Sequence, residues 1–191
     1  MTKGKPHSAG SLVRRPLLAA VLAASAVVPA PAMAAVDIFL KLDTIDGESM
    51  HKGHFKWIEL ESYETGFDNG VRRTFGGGGV AGKPVCSALG AVKQFDAASP
   101  KLMAAVMTGK HFQKAELHFA RTGDAGEVFL KYELTDVALS SLGNAAVASA
   151  AQTRPTESLS LNFSKASVTY YMQDEKGVLT PSVTESVDCG P

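Results

Sequence analysis

Apolar residues recur at every second position along much of this 191-residue chain, and this period constrains its fold most. In residues 35–42, which read AVDIFLKL, Val36, Ile38, Leu40 and Leu42 follow this pattern. Successive side chains of a β-strand point to opposite faces, so this spacing predicts a strand with one buried face.

The same period predicts further strands in residues 56–63, 115–119, 128–134 and 158–172. In the last of these, predicted to be the longest, the apolar phase slips by one position near Ser164. A slip of one residue moves side chains to the other face, so we expect a β-bulge or a corner there. The small-residue-rich residues 140–155 are predicted to be a loop.

One helix is predicted after residue 98, with Ser99 as its N-cap, Pro100 in its first turn and Gly109 ending it in a left-handed conformation. Four apolar residues form one stripe along this helix: Leu102, Met103, Val106 and Met107. We interpret the two methionines as core filler. The pattern as a whole predicts a mainly β fold, an antiparallel sheet or small barrel with one helix.

The first 34 residues have the order of a secretory signal peptide: a basic start, an apolar core at residues 16–28 and the small-residue sequence Ala32-Met33-Ala34. Cleavage between Ala34 and Ala35 would leave a single domain, residues 35–191, that is exported to the periplasm or secreted. The apolar core is shorter than the roughly 20 residues of a membrane-spanning helix. The alternatives are an uncleaved anchor and a wrongly assigned start codon, and both general and twin-arginine export fit the leader.

Charge disfavours some partners. The whole chain has 19 basic and 19 acidic residues, and four of the basic residues lie in the leader. The remaining domain therefore has 15 basic against 19 acidic residues. Nucleic acids and anionic membranes attract clustered Lys and Arg, so neither is predicted as a partner after cleavage.

Two cysteines, Cys86 and Cys189, are the whole cysteine content of the chain. Outside the cytoplasm such a pair is a candidate disulfide. Because Cys189 lies two residues from the C-terminus, an intermolecular bond or two free thiols remain alternatives.

Catalytic motifs are missing from the sequence, and we predict no catalytic residue, no cofactor, no metal and no enzyme activity. His51 and His54 have the spacing of a metal pair, but zinc sites take three or four ligands, so both are interpreted as solvated loop residues. Residues 77–83 read GGGVAGK, as in a phosphate-binding loop. Pro84 stands where that motif needs Ser or Thr, so nucleotide binding is not predicted.

Five segments of the chain resemble the Hcp family, the haemolysin-coregulated tube proteins of type VI secretion. They begin with AVDIFLKLDTIDGES and include VFLKYELTDVALSS and PTESLSLNFSKASVTYYMQDEKG. The segments are residues 35–49, 76–83, 95–121, 128–141 and 155–177.

The resemblance implies an antiparallel two-sheet β-barrel with one α-helix at its side. It also implies a homohexameric ring, stacking of rings into a tube, and effector, sheath and spike proteins as partners. Residues 65–82 have no apolar period, and loops of this length are usually functional or form interfaces. Their glycines Gly76, Gly77, Gly78 and Gly79 are therefore the candidate assembly loop. The alternative function is a periplasmic or secreted binding module on the same fold.

Overall fold

The computed structural model describes residues 35–70, 72–73, 79–80, 82–122, 126–148 and 154–190. Within them the protein is mainly β, with antiparallel pairing and one short helix, as predicted. The elements are β1 Val36–Leu42, β2 Ile58–Leu60, β3 Ser62–Glu64, β4 Phe67–Asn69, β5 Arg72–Arg73, β6 Gly79–Val80, β7 Pro84–Cys86, β8 Leu89–Gln94, α1 Ser99–Thr108, β9 His111–Arg121, β10 Val128–Ala145, β11 Thr156–Asn162, β12 Lys165–Gln173 and β13 Leu179–Asp188.

The main sheet follows the path β2-β1-β9-β10-β11-β8-β3. Its two ends, β2 and β3, are separated along the chain by Glu61 alone, whose N–H donates to Val92 O at 2.7 Å. The first and the last strand of this order therefore both belong to residues 58–64. β12 and β13 extend this sheet from β10, because β12 pairs with β10 and β13 pairs with β12.

The core lies on the face that the alternation predicted. Leu40 of β1 pairs with Leu117 of β9, and Leu42 pairs with Ala115. All four side chains are buried, as is Leu134 of β10 opposite Ala115. Burying apolar side chains in this way is the main stabilising contribution to the fold, about 1.5–3 kcal/mol for a large aliphatic side chain.

Helix α1 ends as predicted but begins differently. Gly109 adopts a left-handed φ of 61°, and its N–H caps the carbonyls of Ala105 and Val106. The N-cap is Ala98, whereas Ser99 is buried inside the first turn.

The interpretation of Met103 and Met107 as core filler is wrong. These side chains are 45% and 81% exposed, because only the Leu102 side of the helix faces the core.

The longest strand is β10, and the strand predicted over residues 158–172 is two strands, β11 and β12. The break falls at Phe163 and Ser164, next to the phase slip in the sequence. Ser164 N–H donates to Thr135 O at 3.0 Å, beside Asp136 with its positive φ of 53°. The predicted loop at residues 140–155 begins too early, because residues 141–145 pair with β11.

Candidate assembly surface

The apolar face of the main sheet continues beyond the core onto the C-terminal hairpin, which is formed by β12 and β13. Phe119 of β9 pairs with Leu130, Leu130 with Tyr170, and Tyr170 with Val183. Phe119 is 3% exposed, whereas Tyr170 and Val183 are 50% and 54% exposed. One continuous row of apolar side chains is thus covered at one end and open to solvent at the other.

A second row shows the same change. Leu42, Ala115, Leu134, Ala166 and Val187 follow one another across the sheet. The first four are at most 2% exposed, but Val187 is 39% exposed. The C-terminal hairpin therefore exposes Tyr170, Val183 and Val187 in rows that are buried elsewhere, with the exposed Glu185 between the two valines on the same face.

β13 was not predicted from the sequence, and among the described residues it pairs with β12 alone. Its side chains are exposed on both faces apart from the partly buried Leu179, although Val183 and Val187 alternate with Thr and Ser along the strand. It also contains Pro181, which lacks a backbone N–H and is tolerated in edge strands. Pro181 lies at the register shift between Tyr170 and Tyr171 of β12.

An open cleft of about 390 Å³ adjoins this hairpin where β12 meets the start of β1. Val36, Phe129, Tyr170 and Met172 line it. Val36 and Met172 are exposed by 47% and 55%, so the apolar surface continues from the hairpin onto β1.

We call residues 65–88 the arm. Its described strands pair with one another, β4 with β7 and β5 with β6, rather than forming the structureless loop that was predicted. Of the candidate assembly loop, Gly79 begins β6, while Gly76, Gly77 and Gly78 lie outside the described residues.

A disulfide joins the arm to the C-terminal hairpin. Cys86, the last residue of β7, is bonded to Cys189, which follows β13, and the two Cα atoms are 5.4 Å apart. Both residues are half-buried.

Of the candidate cleavage site, Ala34 lies outside the described residues, and the carbonyl of Ala35 accepts a hydrogen bond from Thr122 N–H at 3.0 Å.

A histidine cluster forms where residues 43–57 pack against Phe39 of β1 and His118 of β9. His54 is 2% exposed and stacks on Phe39 with ring centroids 4.2 Å apart. Its Nδ1 lies 3.1 Å from His51 Nδ1, and its Nε2 lies 3.0 Å from His118 Nδ1. The interpretation of His51 and His54 as solvated loop residues is therefore wrong for His54 and incomplete for the half-buried His51.

Neutral rings can make all the hydrogen bonds of this cluster. Gly53 N–H donates to His51 Nδ1, so in the neutral arrangement His54 Nδ1 donates to that same lone pair and His54 Nε2 accepts from His118. Burial, with the neighbouring His118 and His51, lowers the pKa of His54 from 6.5 to about 4. Burial and the Lys131 ammonium lower the pKa of His118 to about 4, against the opposing effect of the Glu116 carboxylate.

Acidification is therefore expected to destabilise the fold between pH 6.5 and pH 4. The unfolded chain binds protons on these histidines at higher pH than the folded chain, so the stabilisation is complete above pH 6.5 and is lost as pH falls. The loss from pH 7 to pH 5 is about 2 kcal/mol for each histidine at most. Urea denaturation at both pH values measures it.

His54→Gln should reduce this pH dependence, whereas His111→Gln should leave it unchanged. His111 provides the matched control because its side chain is 68% exposed and, among the described residues, pairs with Asp136 at the surface. Equal pH dependence in wild type and His54→Gln would show that the cluster does not control stability.

A buried ion pair anchors the start of α1 to the sheet. Lys93 of β8 and Glu157 of β11 lie opposite each other, and both are 0% exposed. Lys93 Nζ donates to Glu157 Oε2 at 2.8 Å, to Asp96 Oδ1 at 2.7 Å and to Ser99 Oγ at 3.0 Å. Ser99 Oγ also donates to Glu157 Oε2, so this buried carboxylate oxygen accepts two hydrogen bonds.

In the part of the chain that the structure describes, no group of three or more His, Cys, Asp or Glu side chains is arranged to hold a metal ion. In that same part, no helix has the length and apolar character needed to cross a membrane.

Comparison with known proteins identifies relatives of this chain. The family model described as "Type VI secretion system effector, Hcp" matches residues 39–170. Protein hcp1 of Pseudomonas aeruginosa (strain PAO1) is 34% identical over 144 residues, which cover 75% of this chain and 88% of the relative.

Solved structures share the fold. A "type six secretion system protein" superposes with a TM-score of 0.75 at 31% identity, covering 81% of this chain and 96% of the other. Hcp1 from Salmonella typhimurium gives a TM-score of 0.65 at 29% identity, covering 82% of this chain and 95% of the other. These similarities extend over nearly the whole length of both solved chains.

Proposed function

Since this chain belongs to the Hcp family of type VI secretion proteins, we propose that it is a tube protein that forms hexameric rings. Six copies close head to tail around a central channel, and the rings stack into a tube. Such an interface joins two different surfaces of one subunit, and it forms a closed ring when the rotation between subunits completes a circle.

The uncovered apolar face of the C-terminal hairpin is the observation that supports this proposal. Tyr170, Val183 and Val187 continue rows of side chains that are otherwise buried in the core. Exposed apolar patches mark interaction sites, and an edge strand offers free backbone groups for pairing. A neighbouring subunit that packs against this face removes both from water.

The ring's channel and its outer surface carry the remaining proposed contacts. Effectors occupy the channel, while sheath and spike proteins contact the outside and the end of the tube. In this role the protein acts through its surfaces and not as an enzyme.

The leader supports export of the protein. We propose that residues 1–34 are a signal peptide that is cleaved between Ala34 and Ala35. Mass spectrometry of the protein from the periplasm or the culture medium tests this, with a chain that begins at Ala35 as the expected result. A chain that retains residues 1–34 in those fractions would contradict cleavage.

Export also favours a second candidate function, a periplasmic or secreted binding module that does not assemble into a secretion tube. The Cys86–Cys189 bond is the observation that favours this second candidate, because disulfides persist in oxidising compartments. This module would be a monomer or an isolated ring with a small protein partner. Stacked rings in electron micrographs would exclude it.

Removing Gly76, Gly77, Gly78 and Gly79 together is expected to abolish tubes while leaving the subunit folded. The proposed role of these residues is contact between subunits or between rings, because long loops in compact domains are usually functional or form interfaces. Electron microscopy of wild-type and deleted protein measures the outcome, with circular dichroism to verify folding. Deleting residues 149–152 from the other small-residue-rich segment is the control of equal length, and unchanged tubes after the glycine deletion would refute the role.

A further inference from the structure

We propose that the Cys86–Cys189 disulfide is a redox-controlled clamp that permits ring assembly only in an oxidising compartment. This inference rests on the proposed assembly through the C-terminal hairpin. It adds a condition to that assembly, namely that β13 must be fixed at its end before a neighbouring subunit can pack on it.

The bond joins two parts of the molecule that share no β-ladder among the described residues. Cys86 belongs to β7, which pairs with β4 in the arm, and Cys189 follows β13, which pairs with β12. The cysteines are 103 residues apart in the chain. The disulfide therefore fixes the position of the arm's base relative to the end of the hairpin.

Apart from its ladder with β12, few non-covalent contacts hold β13 among the described residues. The strand pairs on one side only, and all its side chains except the partly buried Leu179 are exposed. Beyond its end, Cys189 N–H donates to Ser164 O at 2.9 Å, which continues the attachment by one hydrogen bond. Terminal segments with little buried apolar surface open locally at low free-energy cost.

Opening of β13 would remove part of the proposed assembly face. Val183 and Val187 are carried by β13, and Tyr170 of β12 pairs with Val183. With the disulfide formed, Cys189, which directly follows the strand, cannot move away from β7, so the face stays intact. With both thiols reduced, strand opening competes with subunit docking, and the apparent affinity between subunits falls by the fraction of intact strands.

The chemistry is a balanced thiol–disulfide exchange. The thiols of Cys86 and Cys189 and one external disulfide become the Cys86–Cys189 bond and two external thiols, through a mixed disulfide. The external disulfide is oxidised glutathione or a protein disulfide of the oxidising compartment. A dithiol such as dithiothreitol reverses the exchange, and the half-buried position of both cysteines gives it access.

Hydrogen exchange and solution mass of the purified protein, with and without dithiothreitol, test the clamp. On reduction we expect exchange in β13 to accelerate by about tenfold more than exchange in β9, and six-subunit particles to dissociate. The double variant Cys86→Ser/Cys189→Ser should behave like reduced wild type. It should not respond to dithiothreitol, because the chain has no other cysteine.

Unchanged exchange in β13 on reduction would overturn the clamp, and so would rings that persist after both cysteines are shown to be reduced. Failure of the proposed function is distinguishable from these results. In that case the oxidised protein forms no rings at any concentration.

Discussion

Replacing Lys93 with Met is expected to lower the free energy of unfolding by about 3–5 kcal/mol, because it breaks a fully buried ion pair. Lys93 and Glu157 are 0% exposed, and the Asp96 side chain is 9% exposed. Without the ammonium group, the Glu157 carboxylate stays in the core without its opposite charge. Urea denaturation followed by circular dichroism measures the change.

A matched control separates this effect from the loss of any lysine. Lys101→Met changes an exposed lysine on α1 and should alter stability by less than about 0.5 kcal/mol. Adding Glu157→Met to Lys93→Met removes the orphaned carboxylate, so the double variant should be more stable than Lys93→Met alone. Equal stability of Lys93→Met and Lys101→Met would contradict the account.

Replacing Val183 with Asp is expected to convert hexamers into monomers, a sixfold fall in particle mass. Val183 is 54% exposed in the single chain, so a carboxylate there costs the isolated subunit little. In the proposed ring the same position is buried against a neighbouring subunit, where an unpaired charge is strongly unfavourable. Light scattering measures the mass, and thermal unfolding verifies the fold.

Thr184→Asp is the control on the same strand. Thr184 is exposed on the opposite face, where its hydroxyl lies 3.0 Å from that of Thr169. The substitution introduces the same charge one residue away and should preserve the hexamer. Rings that survive Val183→Asp, or that are lost equally in both variants, would contradict the assignment of this face.

Strands with one buried face were predictable because their two sides meet different surroundings. Residues 35–42 were predicted to be a strand, and β1 spans Val36–Leu42. β13 was not predicted, although Leu179, Val183 and Val187 stand at alternate positions with Thr and Ser between them, because Pro181 and Glu185 interrupt that apolar pattern. In the single subunit both faces of β13 are exposed, so burial does not distinguish them.

The buried ion pair had a signal in the sequence that was not used. Lys93 has the same strand phase as Leu89 and Ala91, and Glu157 has the same phase as Leu159. All five side chains are buried in the structure. Two opposite charges at core positions of two strands indicate that the strands are neighbours, since a buried charge needs a partner.

The histidine cluster had no comparable signal. His54 and His118 are 64 residues apart, and residues 43–57 have no period that indicates which face they cover. The methionines of α1 were misassigned for a related reason. Positions next to Leu102 and Val106 on a helix are close to the buried stripe, but helix α1 buries only a narrow side against the sheet.

The particle mass of the purified oxidised protein, measured by light scattering with electron microscopy of the same sample, tests the central claim most directly. The account predicts particles of six subunits that appear as rings with a central channel. A monomer that persists at high concentration would contradict ring formation, and it would leave the exported binding module as the function of this fold.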